Sequence, residues 1–257
     1  MMRRWPANIL TSGNLFCGFL SVLLAMENHP QLAAWLIVFA AVLDAFDGKA
    51  ARFFGGGSEF GLQFDSLADM MSFGFAPACL IYTVAFSNLS MPGLIVTFIP
   101  VLAAAIRLAR FNVTADGKAH DFIGLSSPLH ACLIASFVVM SYSTWGQILD
   151  TNILAGLVIL TSLLMVSRLP LPGLPRFTLR EPGYNLVKML FLMIAVAFIV
   201  INPPRYTFPS LAAVVSVALI TGALRALFVR EVKEDEEDEE LDEENTEPVT
   251  VYHRGQR

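Results

Sequence analysis

Between residues 8 and 229 the chain is a succession of apolar runs, each about twenty residues long, joined by short links carrying Pro, Gly or charge. A run of that length crosses the ~30 Å hydrocarbon core of a bilayer as one α-helix. Lipid offers no water to unpaired backbone groups, so only helices and closed barrels can span it. These runs are continuous rather than alternating, which selects helices. Eight spans are expected, at roughly 8–26, 32–53, 63–86, 93–112, 128–145, 152–167, 185–202 and 208–229. The links are punctuated at His29-Pro30, Met91-Pro92, Gly146, Pro170 to Pro175 and Pro203-Pro204. The expected fold is all-α, a polytopic membrane helical bundle of about eight transmembrane helices.

Composition enters as a check. Hydrophobic residues make up 55% of the 257 and charged residues 15%, too few charges to cover a soluble domain of this size. The net charge of −5 is unevenly placed, because more than half of the acids follow residue 230. The chain therefore divides into a transmembrane domain over 1–230 and an acidic, disordered cytoplasmic tail over 231–257. The body shows no basic stripe interleaved with aromatics, which argues against a nucleic-acid partner. Cys17, Cys79 and Cys132 each lie in an apolar run and form no CxxC, so they read as small packing residues. The basic, apolar N-terminus is broken by Thr11, Ser12 and Asn14 and reads as a retained first span rather than a cleaved leader.

Orientation follows from Lys and Arg. With eight spans and a cytoplasmic N-terminus, Arg205 alone of the 17 basic residues faces the far side. Both termini and the 44–69 stretch are then cytoplasmic. The expected location is the cell (inner) membrane.

That 44–69 stretch, DAFDGKAARFFGGGSEFGLQFDSLAD, places four acids at the edge of the lipid. Asp44 and Asp47 are three apart at the end of span two, and Asp65 and Asp69 are four apart at the start of span three. Each pair shares one helix face. The glycine-rich link between them lets the chain reverse, which gathers the four carboxylates. Ionised together in a low dielectric they repel and need cations. Hard oxygen donors suit Mg²⁺ or Mn²⁺, and two such ions can share carboxylates and clamp a pyrophosphate. Gly48, Gly61 and the small Ala51 leave room for a ligand near the backbone, and Arg52 can reach a phosphate. Acids at this depth are functional by default. A cation transporter is the rival reading, but its carboxylates would be expected near the bilayer midplane.

The spacing Asp44-x2-Asp47-Gly48-x2-Ala51-Arg52-x8-Gly61-x3-Asp65-x3-Asp69 resembles, position for position, the signature of the CDP-alcohol phosphatidyltransferases. The resemblance implies a membrane enzyme in which an acceptor hydroxyl attacks the β-phosphorus of CDP-diacylglycerol and CMP leaves. It implies Asp44, Asp47, Asp65 and Asp69 as ligands of two divalent ions, with Asp69 also the general base. It places Gly48, Ala51, Arg52 and Gly61 at the CDP site, together with Asn8 and Thr11 of an Asn-x2-Thr pattern in span one. Asn14 continues that helical face, for which interhelical hydrogen bonding is the alternative. A homodimer is also implied.

Three further stretches are similar to the serine-transferring branch of the family: RLARFN from Arg107, FIGLSSPLHA from Phe122 and LMVSRLPLP from Leu164. Where that branch usually reads GLP-x-P, this chain has Ser126 in place of the first Pro. L-Serine is the acceptor this similarity implies. Glycerol 3-phosphate, inositol phosphate or an archaeal-type lipid substrate are the alternatives within the same chemistry. Arg107 and Arg110 share a face and can pair with the carboxylate of serine, and Asn112 can orient a polar group. His130 reads as a packed residue at a helix start.

Overall fold

The computed structural model describes residues 5–53, 59–114, 124–167 and 182–223, and among these the regular structure is entirely helical. Helices α1 (Trp5–Met26) and α2 (Pro30–Phe53) form a hairpin. Its three-residue link turns at Asn28, with φ 60, a left-handed conformation that Asn tolerates. His29 N–H donates to Leu24 O at 2.8 Å, closing the end of α1. Pro30 opens α2, where its missing N–H costs nothing. Ala25, Ala33, Ala34 and Ala40 are fully buried, and Ser21 Oγ donates to Ala33 O at 2.8 Å. Small side chains and one hydroxyl thus draw the backbones together, as expected where lipid supplies no hydrophobic drive between helices.

Helix α3 (59–86) is not uniform. It is α-helical over Glu59–Asp69, π-helical over Met70–Phe75, α-helical over Ala76–Ile81 and π-helical again over Tyr82–Phe86. A turn at Ser87–Leu89 and a positive φ of 49 at Ser90 then break the run. Helix α4 (Ser90–Thr114) returns along α3, with Gly74 against Ala104. The central helix α5 (Ser127–Trp145) is buried without interruption from His130 to Val139 and packs on α2, α3 and α6. Gly146 ends it at φ 71, its N–H donating to Tyr142 O at 3.0 Å. Asp150 caps α6 (Thr151–Val166) by accepting from Asn152 N–H at 2.7 Å. Helices α7 (Pro182–Ile201) and α8 (Pro203–Ala223) follow, with Phe208 of α8 edge-on to Phe137 of α5 at 5.1 Å.

Four helical runs among the described residues are long and apolar enough to cross a membrane: Asn8–Met26, Pro30–Lys49, Glu59–Val113 and Pro203–Ala223. The third is 55 residues long and contains the reversal between α3 and α4. Large apolar side chains such as Phe16, Phe19, Phe39 and Phe98 point outward, while Thr11, Asn14, Ser21 and Ser72 are buried. That inverted distribution is what a lipid solvent produces, and the chain is a membrane protein. The expected acidic tail over 231–257 and the link between α2 and α3, at 54–58, lie outside the described residues.

Candidate active site

Asp44 and Asp47, three apart on α2, face Asp65 on α3 so that one oxygen from each lies within 4.8 Å of the others. Asp69 completes the group, one turn beyond Asp65. Asp44 comes within hydrogen-bonding range of Asp69, and Asp47 within that of Asp65. Carboxylates at such range must share a proton or a cation. Asp65 Oδ1 is buried and has no hydrogen-bond partner. An orphaned anionic oxygen among three others is a donor set that fits a hard divalent ion.

Helix α1 organises this cluster. It packs along both α2 and α3. Thr11 Oγ1 donates to Asp47 Oδ2 at 3.0 Å, and Asn14 Nδ2 donates to Asp69 Oδ1 at 3.1 Å. One turn further along, Ser72 Oγ donates to the carbonyl of Asn14 at 2.9 Å. A Cβ on Gly18 would lie 2.8 Å from Ser72 Cα, so only glycine allows α1 and α3 to approach so closely. Asn8, earlier on the same helix, accepts from Ser12 Oγ at its carbonyl. Gly48 faces open space, and Gly61 is half-buried on α3. The side chains of Ala51 and Arg52 lie outside the described residues.

The other face of the site comes from three segments that are remote in sequence. Arg107 of α4 donates from Nη1 to Ser127 Oγ at 2.9 Å, at the start of α5. It is within electrostatic reach of Asp69 and Asp44, and its Nε is buried without a hydrogen-bond partner. Arg110 donates to Val166 O at 3.1 Å, at the end of α6. Gly124, at φ 79, lies so close to α6 that a Cβ would meet Met165 O and Ser167 O, each at 2.8 Å. Leu125 N–H then donates to Leu164 O at 3.0 Å. The described parts of the RLARFN, FIGLSSPLHA and LMVSRLPLP stretches, 107–112, 124–131 and 164–167, are therefore tied together, with Arg107 on the side of the acids. Asn112 turns toward α3 instead, accepting from Ser66 Oγ at 3.0 Å and donating to Gln63 Oε1 at 3.3 Å. His130 is fully buried, its Nδ1 2.9 Å from Thr161 Oγ1. Thr161 Oγ1 in turn lies 2.7 Å from Leu157 O, which ties the ring into the interior of α6.

Sequence reading missed Ser72, Gly18, Ser66 and Ser127 as partners of the site. Ser72 carried a usable signal, since Asp65, Asp69 and Ser72 recur at helical spacing. Ser127 did not, because its tie to Arg107 crosses between helices.

A partly buried carboxylate cluster on the helical scaffold of a membrane protein is a donor set that could hold a metal ion. The chain belongs to the CDP-alcohol phosphatidyltransferase family, whose sequence profile matches residues 4–229. It is 30% identical over 226 residues to the CDP-diacylglycerol–serine O-phosphatidyltransferase of Helicobacter pylori (strain J99), covering 86% of this chain and 91% of that one. The enzyme of the same name from Bacillus subtilis is 33% identical over 64% of this chain and 88% of its own. The archaetidylserine synthase of Methanothermobacter thermautotrophicus is 36% identical over 64% of this chain and 68% of its own.

Proposed function

We propose that this protein transfers the phosphatidyl group of CDP-diacylglycerol to the hydroxyl of L-serine, forming phosphatidylserine and releasing CMP. The observation that carries the reading is the meeting of two chemistries: Asp44, Asp47 and Asp65 gathered within 4.8 Å, with Arg107 in electrostatic reach of Asp44 and of the adjoining Asp69. The serine-transferring relatives support the choice of acceptor.

Asp44, Asp47, Asp65 and Asp69 would hold two divalent ions, Mg²⁺ or Mn²⁺. When bound, these ions neutralise the pyrophosphate and the charge that develops on the leaving CMP. Gly48, Ala51, Arg52 and Gly61 line the CDP site, with Asn8 and Thr11 on its α1 side. Arg107 and Arg110 receive the serine carboxylate, and the unpartnered Nε of Arg107 is the donor available for it. Asn112 braces α4 against α3 at the mouth of that pocket. Asp69 takes the proton of the serine hydroxyl as its oxygen bonds to the β-phosphorus. The phosphorus–oxygen bond to CMP breaks, and CMP leaves with that electron pair.

The setting is an eight-span domain over 1–230 in the cell membrane, as a homodimer, with the acids, both termini and the acidic tail on the cytoplasmic side. The reversal between α3 and α4 supports counting two passes in the 55-residue run. The test is direct. Purified protein is given CDP-diacylglycerol, Mn²⁺ or Mg²⁺ and, separately, labelled L-serine, glycerol 3-phosphate or inositol phosphate. Serine-dependent CMP release and labelled phosphatidylserine are expected. Release driven by another alcohol and not by serine refutes the acceptor, and ion flux without CDP-lipid turnover refutes the enzyme.

A further inference from the structure

We infer that Asn14 is a positioning residue for Asp69, holding one oxygen of the proposed base so that the other faces the reacting hydroxyl. The inference rests on the reading of Asp69 as that base. Asn14 lies on the same face of span one as Asn8 and Thr11, for which the sequence left a nucleotide-side role and interhelical hydrogen bonding as alternatives. The structure shows the interhelical bond, from α1 to α3. Asn14 is 0% exposed, and its Nδ2 donates to Asp69 Oδ1 at 3.1 Å. With Asp69 ionised, as a base must be, this is the favourable orientation of the amide, because the opposite flip would set its oxygen against a carboxylate oxygen.

The backbone of Asn14 is fixed as firmly as its amide. Ser72 Oγ, fully buried, donates to the Asn14 carbonyl across the helix interface. Gly18, one turn along α1, brings the two backbones together at Ser72. Ser72 belongs to the π-helical stretch that begins immediately after Asp69. A π-helical turn accommodates an extra residue and changes the face presented beyond it, and such turns are frequent at functional sites. Here Asp69, Asn14 and Ser72 form a closed circuit: α3 holds the α1 backbone, and α1 holds the α3 carboxylate. Thr11 does for Asp47 what Asn14 does for Asp69. The difference is that Asp69 is the acid proposed to take the proton of the acceptor hydroxyl.

The test compares Asn14→Leu, which keeps most of the volume without the donor, Asn14→Asp, Ser72→Ala and a reference Asp69→Asn. Steady-state CMP release at saturating Mn²⁺ gives kcat and both KM values, and thermal unfolding in detergent reports folding. Expected is a fall in kcat of about ten- to a hundredfold for Asn14→Leu, the range typical of residues that orient a ligand or base. The KM for CDP-diacylglycerol should not change. Asn14→Asp should fall at least as far, and Ser72→Ala less. Wild-type kcat in Asn14→Leu, with Asp69→Asn inactive, overturns the positioning role and leaves the base intact. A matching rise in the CDP-diacylglycerol KM overturns it in favour of a nucleotide contact. Wild-type kcat in Asp69→Asn overturns the base and this inference with it. Should Asn14→Leu not fold, a lowered kcat with unchanged KM in Ser72→Ala supports the role, and wild-type kcat there overturns it.

Discussion

Replacing Asp65 by Asn tests the cation site through two observables that should move in opposite directions. Asp44, Asp47 and Asp65 present oxygens within 4.8 Å of one another. Two unit charges at that separation repel by roughly 3–4 kcal/mol at an effective dielectric of about 20. Removing the charge of Asp65 relieves two of the three pairwise repulsions within the triad. Proton uptake by the wild-type cluster already offsets part of that cost, so the sign is the firm expectation. In EDTA, Asp65→Asn should unfold at the same temperature as wild type or higher. Wild type should regain stability with Mn²⁺, by about 2.7 kcal/mol at a hundred times the dissociation constant, because the ion binds the folded state alone. The variant should lose that response together with CMP release. Thermal unfolding of detergent-purified protein, with and without Mn²⁺, reads both effects. A variant that is markedly less stable in EDTA yet keeps the Mn²⁺ response and its turnover would refute the assignment of these acids to a cation site.

Other perturbations reach the supporting contacts. Thr11→Val removes a buried hydrogen bond to Asp47, worth about 0.5–1.5 kcal/mol, and should raise the Mn²⁺ concentration for half-maximal CMP release by about two- to tenfold. Arg107→Lys keeps the charge but loses the fork that reaches Ser127 and leaves Nε free, so the KM for serine should rise about tenfold while the KM for CDP-diacylglycerol holds. Gly124→Ala forces a side chain into φ 79 against two carbonyl oxygens. It should destabilise the protein by at least about 1–2 kcal/mol in thermal unfolding and raise the serine KM. Exhaustive chelation should abolish turnover, and added Mn²⁺ or Mg²⁺ should restore it.

The helices and the acids could be read from the chain, while much of what holds the acids could not. The run over 128–145 coincides with α5, and 152–167 with α6, because an apolar stretch in lipid has little choice but to be helical. The acids of α2 and α3 were paired correctly by turn spacing. Sequence gathered them by reversing the chain through the glycine link, whereas the structure also uses α1, whose Thr11 and Asn14 each donate to one acid. The π-helical stretches of α3 left no local mark, since MMSFGF reads as ordinary apolar helix.

By itself the sequence determined that the chain is helical and enters a membrane, and that its aspartates pair on two helices by turn spacing. Those features depend on hydropathy and on intrahelical spacing, which are local. Only the tertiary structure decided that α1 links the two acid-bearing helices, that Gly18 and Ser72 touch, and that Arg107 reaches Ser127. Such contacts depend on how each helix is rotated about its axis. In water an apolar stripe reveals that rotation; in lipid the outer face is as apolar as the interior. On α1 Phe16 and Phe19 point outward while Thr11 and Asn14 are buried. Packing and a few buried hydrogen bonds set the azimuth of each helix, and they exist only once the helices have met.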